Sequence, residues 1–389
     1  MSTRTDAWVL HAGPAGDGTS RSAVRGTLSR EIFRLPDLED DEALVEPLYG
    51  SWEANIDHAL SRQPIDVCRS RHEDPVILGN LGVVRVLRPA RTGPSAREGD
   101  ICIVMPFATR DRHGYAELVY AYDGAGIGIL AKRTKLKADL LLPIPEHTRY
   151  SLPQWAAYAR YFTAWDNWRV AHSCWLSQMD SQHAADALVF GWGGGVVFAE
   201  LQLAQRAGFR VAMTASSDAR LAFLTEHGMT AVDRRSFQDL RYDPESTGDN
   251  PYHLRRYRDS EARFLQTINT LSDGAGVAIF IDNIGSPLYR AVLKALSREG
   301  VLTSVGWKHG MRIHNLRASA CIRRQLHVHT HVWRYGDSAR IRDYQEDTGW
   351  MPTIDVDAIY DFDDVPQLAA DYEAGKFETY FPLFRVNSV

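Results

Sequence analysis

The chain has few cysteines, no long apolar run and no excess of basic charge. Its four cysteines, Cys68, Cys102, Cys174 and Cys321, lie far apart and form no CxxC pair. That excludes a disulfide framework or a four-cysteine zinc site within one chain. No stretch reaches the roughly 18 apolar residues that a membrane-spanning helix needs. The net charge of −5 argues against a dedicated nucleic-acid binder, which carries a basic surplus. The opening "MSTRTDAWVLHAGPAGDG" lacks the basic and apolar regions of a signal peptide. The expectation is a cytoplasmic protein with neither membrane nor nucleic acid as a partner.

What is present is enough chain for two domains: 389 residues, 44% of them hydrophobic. Residues 1–45 are mixed and polar, and an N-terminal strand followed by a loop is expected. From about 46 to 150 short apolar runs alternate with turn residues. "VILGNLGVVRVL" reads as a strand pair, or as a bent strand with Gly79 and Gly82 at the bends. "GDICIVMPF" and "GYAELVYAYD" read as further strands of a β-rich, barrel-like domain. "SLPQWAAYARYFTAWDNWRVA" then changes the period. Ser151 caps a helix with Pro153 in its first turn. Trp155, Tyr158, Phe162, Trp165 and Trp168 recur every three or four residues as a core-facing stripe.

From about 185 strands and helices alternate, which predicts a parallel sheet covered on both faces. "DALVFGWGGG" is a strand running into glycines, and "VVFAELQLAQRAG" is a helix stopped by Gly208. "FRVAMTA" is a strand, and "SDARLAFLTEHG" a helix capped by Ser217. "FLQTINTLSDG" and "PLYRAVLKALSREG" are helices; "VAIFIDNIG" and "VLTSVGW" are strands. The last 50 residues read as mixed strand and loop.

Gly191, Gly193, Gly194 and Gly195, with Val196 after them, join a strand to a helix. A turn without Cβ atoms lets a pyrophosphate approach the N–H groups at the positive end of the helix. This predicts dinucleotide binding. Val197 stands where a third glycine would let helix and strand pack closely. A valine there must push the helix outward or have smaller neighbours. An NAD-specific site ends the next strand with an acid for the ribose 2′-hydroxyl. Here that strand ends in "TASSDAR". Ser216 and Ser217 leave room for a 2′-phosphate, and Arg220 and Arg234, with Arg235 beside it, can pair with it. Asp218 is the competing acid, placed instead to favour the start of its own helix. The cofactor expected is NADP(H).

The landmarks "LGNLGVVRVL", "EGDICIVMPF", "GYAELV", "LPIPEHTRYSLPQWAA", "FTAW", the glycine turn, "FIDNIGSPLYRAVLKALSREGVLTSVGW" and "DFDDVPQLAADYEAGK" occur in order. In these the chain resembles the medium-chain dehydrogenase/reductase superfamily, in its zinc-independent quinone oxidoreductase and enoyl reductase-like branch, over residues 45–376. The resemblance implies an α/β protein. A GroES-like β-rich catalytic domain (1–170 and 330–389) would accompany a Rossmann doubly wound parallel-sheet domain (171–329), with the active site in the cleft between them. It also implies a homodimer. Thr163 matches the position near the nicotinamide, Gly306 and Trp307 the loop that contacts it, and Asn283 lies in the landmark that ends the fourth strand.

Where zinc-dependent members carry Gly-His-Glu, this chain has Gly79-Asn80-Leu81, and "EANIDHAL" has no cysteine. The metal expectation is therefore none. His327, His329 and His331 in "LHVHTHVW" could bind a metal. Alternate Cβ atoms on a strand lie about 6–7 Å apart, however, which is too extended for one ion. The better reading is an edge strand after the last cofactor strand.

Zinc-free relatives reduce activated C=C bonds. Hydride goes to the β-carbon and a proton is added beside the carbonyl, so the protein must orient the substrate and stabilise an enolate. Asn55 and Asp57 approximate the family's Asn-x-x-Asp with one residue fewer between them, and His58 is a possible proton donor or oxyanion partner. Trp52 and Trp165 could wall an apolar pocket. The basic run in "GIGILAKRTKLK" either meets the phosphates of a CoA or carrier-linked substrate or is a solvated surface. Two other readings stay open: a zinc-free carbonyl/alcohol oxidoreductase, and a catalytically silent NADPH-binding scaffold.

Overall fold

The computed structural model describes residues 3–13, 24–94, 96–243, 250–306, 322–330 and 333–389. The chain forms two compact units, Met1–Phe162 with Trp333–Val389, and Thr163–Val332. The boundaries expected after 170 and 329 thus fall at 162/163 and 332/333.

The first unit opens with β1 (Arg4–Leu10), β2 (Leu28–Arg34) and β3 (Glu42–Ser51). Two short helices follow, α1 (Ala54–Ser61) and α2 (Val67–Arg71). Then come β4 (Val76–Ile77), β5 (Gly82–Arg88), β6 (Ile101–Val104), β7 (Phe107–Arg110), β8 (Ala116–Val119), β9 (Thr134–Lys137) and β10 (Leu141–Pro143). "VILGNLGVVRVL" forms two strands, β4 and β5, separated by Gly79 where φ is +95°, but they do not pair with each other: β4 pairs with β1, and β5 with β3 and β6. Gly82 has no room for a side chain, since the Tyr49 carbonyl of β3 occupies that space. The predicted helix at 151 divides at Ala157 into α3 (Leu152–Ala156) and α4 (Tyr158–Leu176). Ser151 and Gln154 form the capping box of α3. The aromatic stripe is core as expected: Trp155, Tyr158, Phe162 and Trp168 are buried.

The second unit runs β11 (Leu188–Trp192), α5 (Gly195–Arg206), β12 (Arg210–Ala215), α6 (Asp218–Glu226), β13 (Thr230–Asp233), α7 (Pro251–Leu271), β14 (Val277–Asp282), α8 (Tyr289–Ala295), β15 (Leu296–Ser304) and β16 (His327–Thr330). The sheet order is β13-β12-β11-β14-β15-β16 and every pairing is parallel. Numbered within the unit this is 3-2-1-4-5-6, the doubly wound order whose chain reverses beside its first strand. Phe190, Phe264 and Phe280 pack in its core. The histidine strand β16 lies at the edge, next to β15, as expected.

The chain then returns to the first unit through α9 (Ser338–Thr348), β17 (Tyr360–Asp361), α10 (Val365–Ala374) and β18 (Leu383–Arg385). Two helices therefore occupy a stretch expected to be strand and loop. β18 pairs with β3, with Leu383 opposite Ser51, and completes a sheet ordered β10-β6-β5-β3-β18-β17, to which β9 adds through β3. Trp8, Val45, Trp52, Val84 and Phe384 pack in the core of this unit. Among the described residues no helix is long and apolar enough to cross a membrane.

Candidate functional site

The carboxyl ends of β11, β12, β14 and β15 gather most of the predicted cofactor residues. β11 ends at Trp192 and is followed by Gly193 and Gly194, of which Gly194 is the N-cap of α5. A Cβ on Gly191 would run into Val197 and Leu201, and one on Gly193 would lie 2.5 Å from Val197 Cγ2. The valine is thus accommodated by smaller neighbours: two glycines leave the room its methyls fill. Gly194 is different, because a Cβ there would meet nothing within 4 Å. That open space lies at the positive end of a twelve-residue helix, so it suits an anion. Gly195 is buried and Val196 half-buried in the first turn.

Asn283 joins the three central strands. Its N–H donates to Trp192 O at 3.0 Å. Its Oδ1 accepts from the N–H of Val305 and Gly306, at 3.1 and 3.3 Å. Gly306 must be glycine for this, since a Cβ would stand 2.7 Å from Asn283 O. Trp307 lies outside the described residues. Beside Asn283, Asp282 is buried and accepts from the N–H of Ile284 at 2.8 Å and Gly285 at 3.2 Å. Burial raises its pKa to about 6.

At the end of β12, Arg234 Nη2 donates to Ser216 Oγ at 2.8 Å. Ser217 caps α6 by accepting from the Arg220 N–H at 3.4 Å. Asp218 and Asp233 both pair with Arg235, at 2.6 and 2.8 Å. The competing acid is therefore engaged by Arg235, while Arg234 reaches the serine. An exposed arginine beside two hydroxyls suits a phosphate better than a ribose diol.

Thr163 is buried on α4. One turn on is a buried arrangement with no counterpart in the sequence reading. Asn167 Nδ2 donates to Glu200 Oε2 at 2.8 Å, and Thr303 Oγ1 donates to Asn167 Oδ1 at 2.7 Å. All three residues are inaccessible to solvent. Glu200 Oε1 has no partner among the described residues. Burial holds the Glu200 carboxyl well above its ordinary pKa, which favours the neutral acid. The available signal was an acid inside the apolar run "VVFAELQLA".

In the first unit the candidates stand on α1. Asn55 and His58 are three residues apart and share a helix face. Asn55 Oδ1 is buried without a partner among the described residues. Burial lowers the His58 pKa, against a smaller raising effect of Asp57, so the imidazole is neutral at pH 7. Asp57 is off that face and pairs at 2.6 Å with Arg25, which also reaches Glu373 at 3.1 Å. This ion pair anchors α1. Arg160 fixes the entry to α1, donating to Trp52 O and Glu53 Oε1, each at 2.5 Å, and to Tyr380 O. Trp52 is fully buried, and Trp165, on α4, half-buried.

The remaining candidates are structural. Lys135 pairs with Glu42 at 2.6 Å and Lys137 with Asp41 at 3.1 Å, while Lys132 reaches Val386 O. The basic run is thus largely engaged within its own unit. The Cys68 thiol is buried, which raises its pKa, and donates to Leu10 O at 3.5 Å. His327 meets the Gln178 side chain, and His329 Nε2 is buried without a partner among the described residues. His331 lies outside them. Among the described residues no group of three or more His, Cys, Asp or Glu is placed to hold a metal ion.

Residues 195–351 match the family model described as zinc-binding dehydrogenase. No curated protein sequence matches the chain. Among solved structures, crotonyl-CoA carboxylase/reductase AntE in complex with NADP superposes with a TM-score of 0.77 at 17% identity, covering 99% of this chain and 95% of that one. The 2-octenoyl-CoA carboxylase reductase CinF, in complex with NADP and 2-octenoyl-CoA, gives 0.77 at 18%, over 98% and 87%. The alcohol dehydrogenase from the hyperthermophilic archaeon Aeropyrum pernix gives 0.72 at 17%, over 98% and 100%. Such identities speak for a shared fold. The family match and the strand order of the second unit agree with that fold.

Proposed function

We propose that the protein is a zinc-independent, NADPH-dependent reductase of activated C=C bonds, acting on an α,β-unsaturated carbonyl compound or acyl thioester in a biosynthetic setting. The carrying observation is the end of the parallel sheet, where open space at Gly194 faces a helix N-terminus and Arg234 stands on Ser216. The solved enoyl-CoA carboxylase reductases with NADP support the substrate class. Asn80 and Leu81, where zinc-dependent relatives carry His and Glu, do not make an open tetrahedral site.

The cofactor fits the residues present. Gly193, Gly194, Gly195 and Val196 would take the pyrophosphate. Ser216, Ser217, Arg220 and Arg234 would take the 2′-phosphate. Thr163, Asn283, Gly306 and Trp307 would serve the nicotinamide end. When bound, NADPH supplies a hydride. The chain itself orients the substrate and handles protons. His58, neutral because buried, serves as a hydrogen-bonding partner, with Asn55 on the same face of α1. Asp57 holds α1 through Arg25. We place the enzyme in the cytoplasm as a homodimer, which light scattering in solution tests.

The test is NADPH consumption against a panel of enones and enoyl-CoA thioesters, with and without bicarbonate. Turnover of at least one is expected, with NADPH preferred over NADH. Arg234→Ala should reduce that preference by roughly tenfold or more, as expected for loss of a charge-assisted phosphate contact. Tight NADPH binding without any turnover would leave a cofactor-binding scaffold, and oxidation of simple alcohols alone would leave an alcohol oxidoreductase.

A further inference from the structure

Two acids stand beside the residues assigned to the 2′-phosphate. Asp218 follows Ser216 and Ser217 directly, as the first residue of α6. Asp233 ends β13 and is the ladder partner of Ala215, the last residue of β12. One residue further along each strand, Arg234 donates to Ser216 at 2.8 Å. The acids therefore flank the Ser216–Arg234 pair from both strands. A phosphate monoester carries about −1.5 to −2 charges at pH 7, so two bare carboxylates here would repel it.

Arg235 takes up both acids. Its Nε donates to Asp233 Oδ1 and Oδ2 at 2.8 and 2.9 Å, and its Nη2 to Asp218 Oδ1 at 2.6 Å. Its backbone N–H adds a bond to Asp233 Oδ1 at 2.9 Å. The guanidinium hydrogen bond holds the Asp233 carboxyl below the usual carboxylate range, which favours the charged form. All three side chains reach solvent: Asp218 is 87% exposed, Arg235 48% and Asp233 39%. Exposed ion pairs contribute little to folding, so folding alone gives no reason for the arrangement. The Nε–Nη2 edge, which can clamp a phosphate in two parallel bonds, is committed to carboxylates. Arg235 thus screens the acids, and Arg234 is the arginine set on the serine hydroxyl.

We propose that Arg235 is a specificity-determining residue, which cancels the charge of Asp218 and Asp233 so that the 2′-phosphate of NADPH is admitted. This role rests on the assignment of that phosphate to Ser216 and Arg234. In an NAD-specific site an acid at the end of the second strand accepts from the ribose diol, and its charge disfavours a phosphate there. This chain keeps acids in the same neighbourhood and removes their effect by ion pairing. Preference for NADPH then has two parts: an attraction supplied by Arg234, and a repulsion removed by Arg235. The second part acts through charge rather than contact, so it weakens as salt rises. Loss of Arg235 leaves both acids unneutralised. The phosphate meets that repulsion, whereas NADH, which lacks the group, does not.

The test uses the full-length protein and the dissociation constants of NADPH and NADH, from titration of cofactor fluorescence. Arg235→Gln should weaken NADPH binding by roughly five- to tenfold at low salt, as expected for removing one nearby charge at a surface. NADH should weaken by no more than about twofold. In about 0.5 M salt the NADPH penalty should shrink to roughly twofold. The triple variant Arg235→Gln/Asp218→Asn/Asp233→Asn removes the acids together with their screen. It should bind NADPH within about threefold of the wild type, or more tightly. A triple variant that stays about tenfold weaker or more marks a direct contact and overturns the proposal. So does an Arg235→Gln protein whose NADPH affinity is unchanged, or one in which NADPH and NADH weaken alike, the sign of a displaced loop. A wild type with no preference for NADPH over NADH overturns the phosphate assignment, and this role with it.

Discussion

Val197 fills the space that Gly191 and Gly193 leave, and it is completely buried. Val197→Gly therefore does not restore a closer helix. It removes a buried side chain and places glycine inside α5, at a combined cost of about 2 kcal/mol or more. Thermal denaturation should show the loss, and NADPH affinity should not improve. The glycine cluster was legible because a strand-to-helix turn announces itself locally. The valine's accommodation was not, since it depends on which atoms the fold sets facing it. Asp282 was out of reach for the same reason: nothing in "FIDNIG" says that its carboxyl is sealed from water. Its folded pKa of about 6 lies above the ordinary 3.8. The preference of the native state for the neutral acid is thus complete below pH 3.8 and lost as pH rises through 6. Asp282→Asn keeps an acceptor for Ile284 and Gly285 and has no charge to bury. Its stability should fall less than that of the wild type across this window. At pH 7 it should gain at most roughly 3 kcal/mol, readable from urea unfolding at a series of pH values.

α4, α5 and β15 are tied at one point, where Glu200 accepts from Asn167 and Asn167 accepts from Thr303. α5 begins at the glycine turn, α4 carries Thr163 one turn before Asn167, and β15 leads to Gly306. The three elements that would hold the cofactor thus share one buried hydrogen-bond chain. Glu200→Gln preserves the acceptor and should stay within about 1 kcal/mol of the wild type at neutral pH. Glu200→Ala leaves the Asn167 amide unpaired and opens a cavity, costing roughly 2–4 kcal/mol. Burial raises the folded pKa of Glu200 above the unfolded 4.5, so the neutral acid favours folding below 4.5. That contribution is lost as pH rises through the folded value. The wild type should lose stability towards alkaline pH relative to Glu200→Gln, and chemical denaturation of both across pH checks it. The strands and helices of this unit were readable because each has a clear period and a glycine stop. α7 begins thirteen residues before "FLQTINTLSDG" because "NPYHLRRYRDSEAR" is polar and shows no apolar stripe. Its signal was the Asn250 cap followed by Pro251. α9 is hidden in the same way, in the polar stretch "SARIRDYQEDT".

The two units differ in how the chain builds them. Thr163–Val332 is continuous, whereas the other unit needs both ends of the sequence. Its central strand β3 is completed by β18, which pairs Leu383 with Ser51. The sheet of the first unit therefore closes only after the second unit has been made. Closing so long a loop costs entropy that grows with the logarithm of its length, and a folded second unit shortens the effective loop. The second unit also contains the whole glycine turn and the Ser216–Arg234 pair, where the proposed NADPH contacts lie. A ligand that binds only the folded state stabilises it by about 2.7 kcal/mol at a hundred times its Kd. For a unit of this size that corresponds to a rise in Tm of roughly 5–10 °C. Calorimetry should show two transitions, with NADPH raising one of them and shifting the other little. Hydrogen exchange under the same conditions should place the added protection in β11, α5, β12 and β14, and leave β3 and β18 as they were. A single transition raised as a whole, with protection spread evenly over both sheets, would show instead that the units unfold as one.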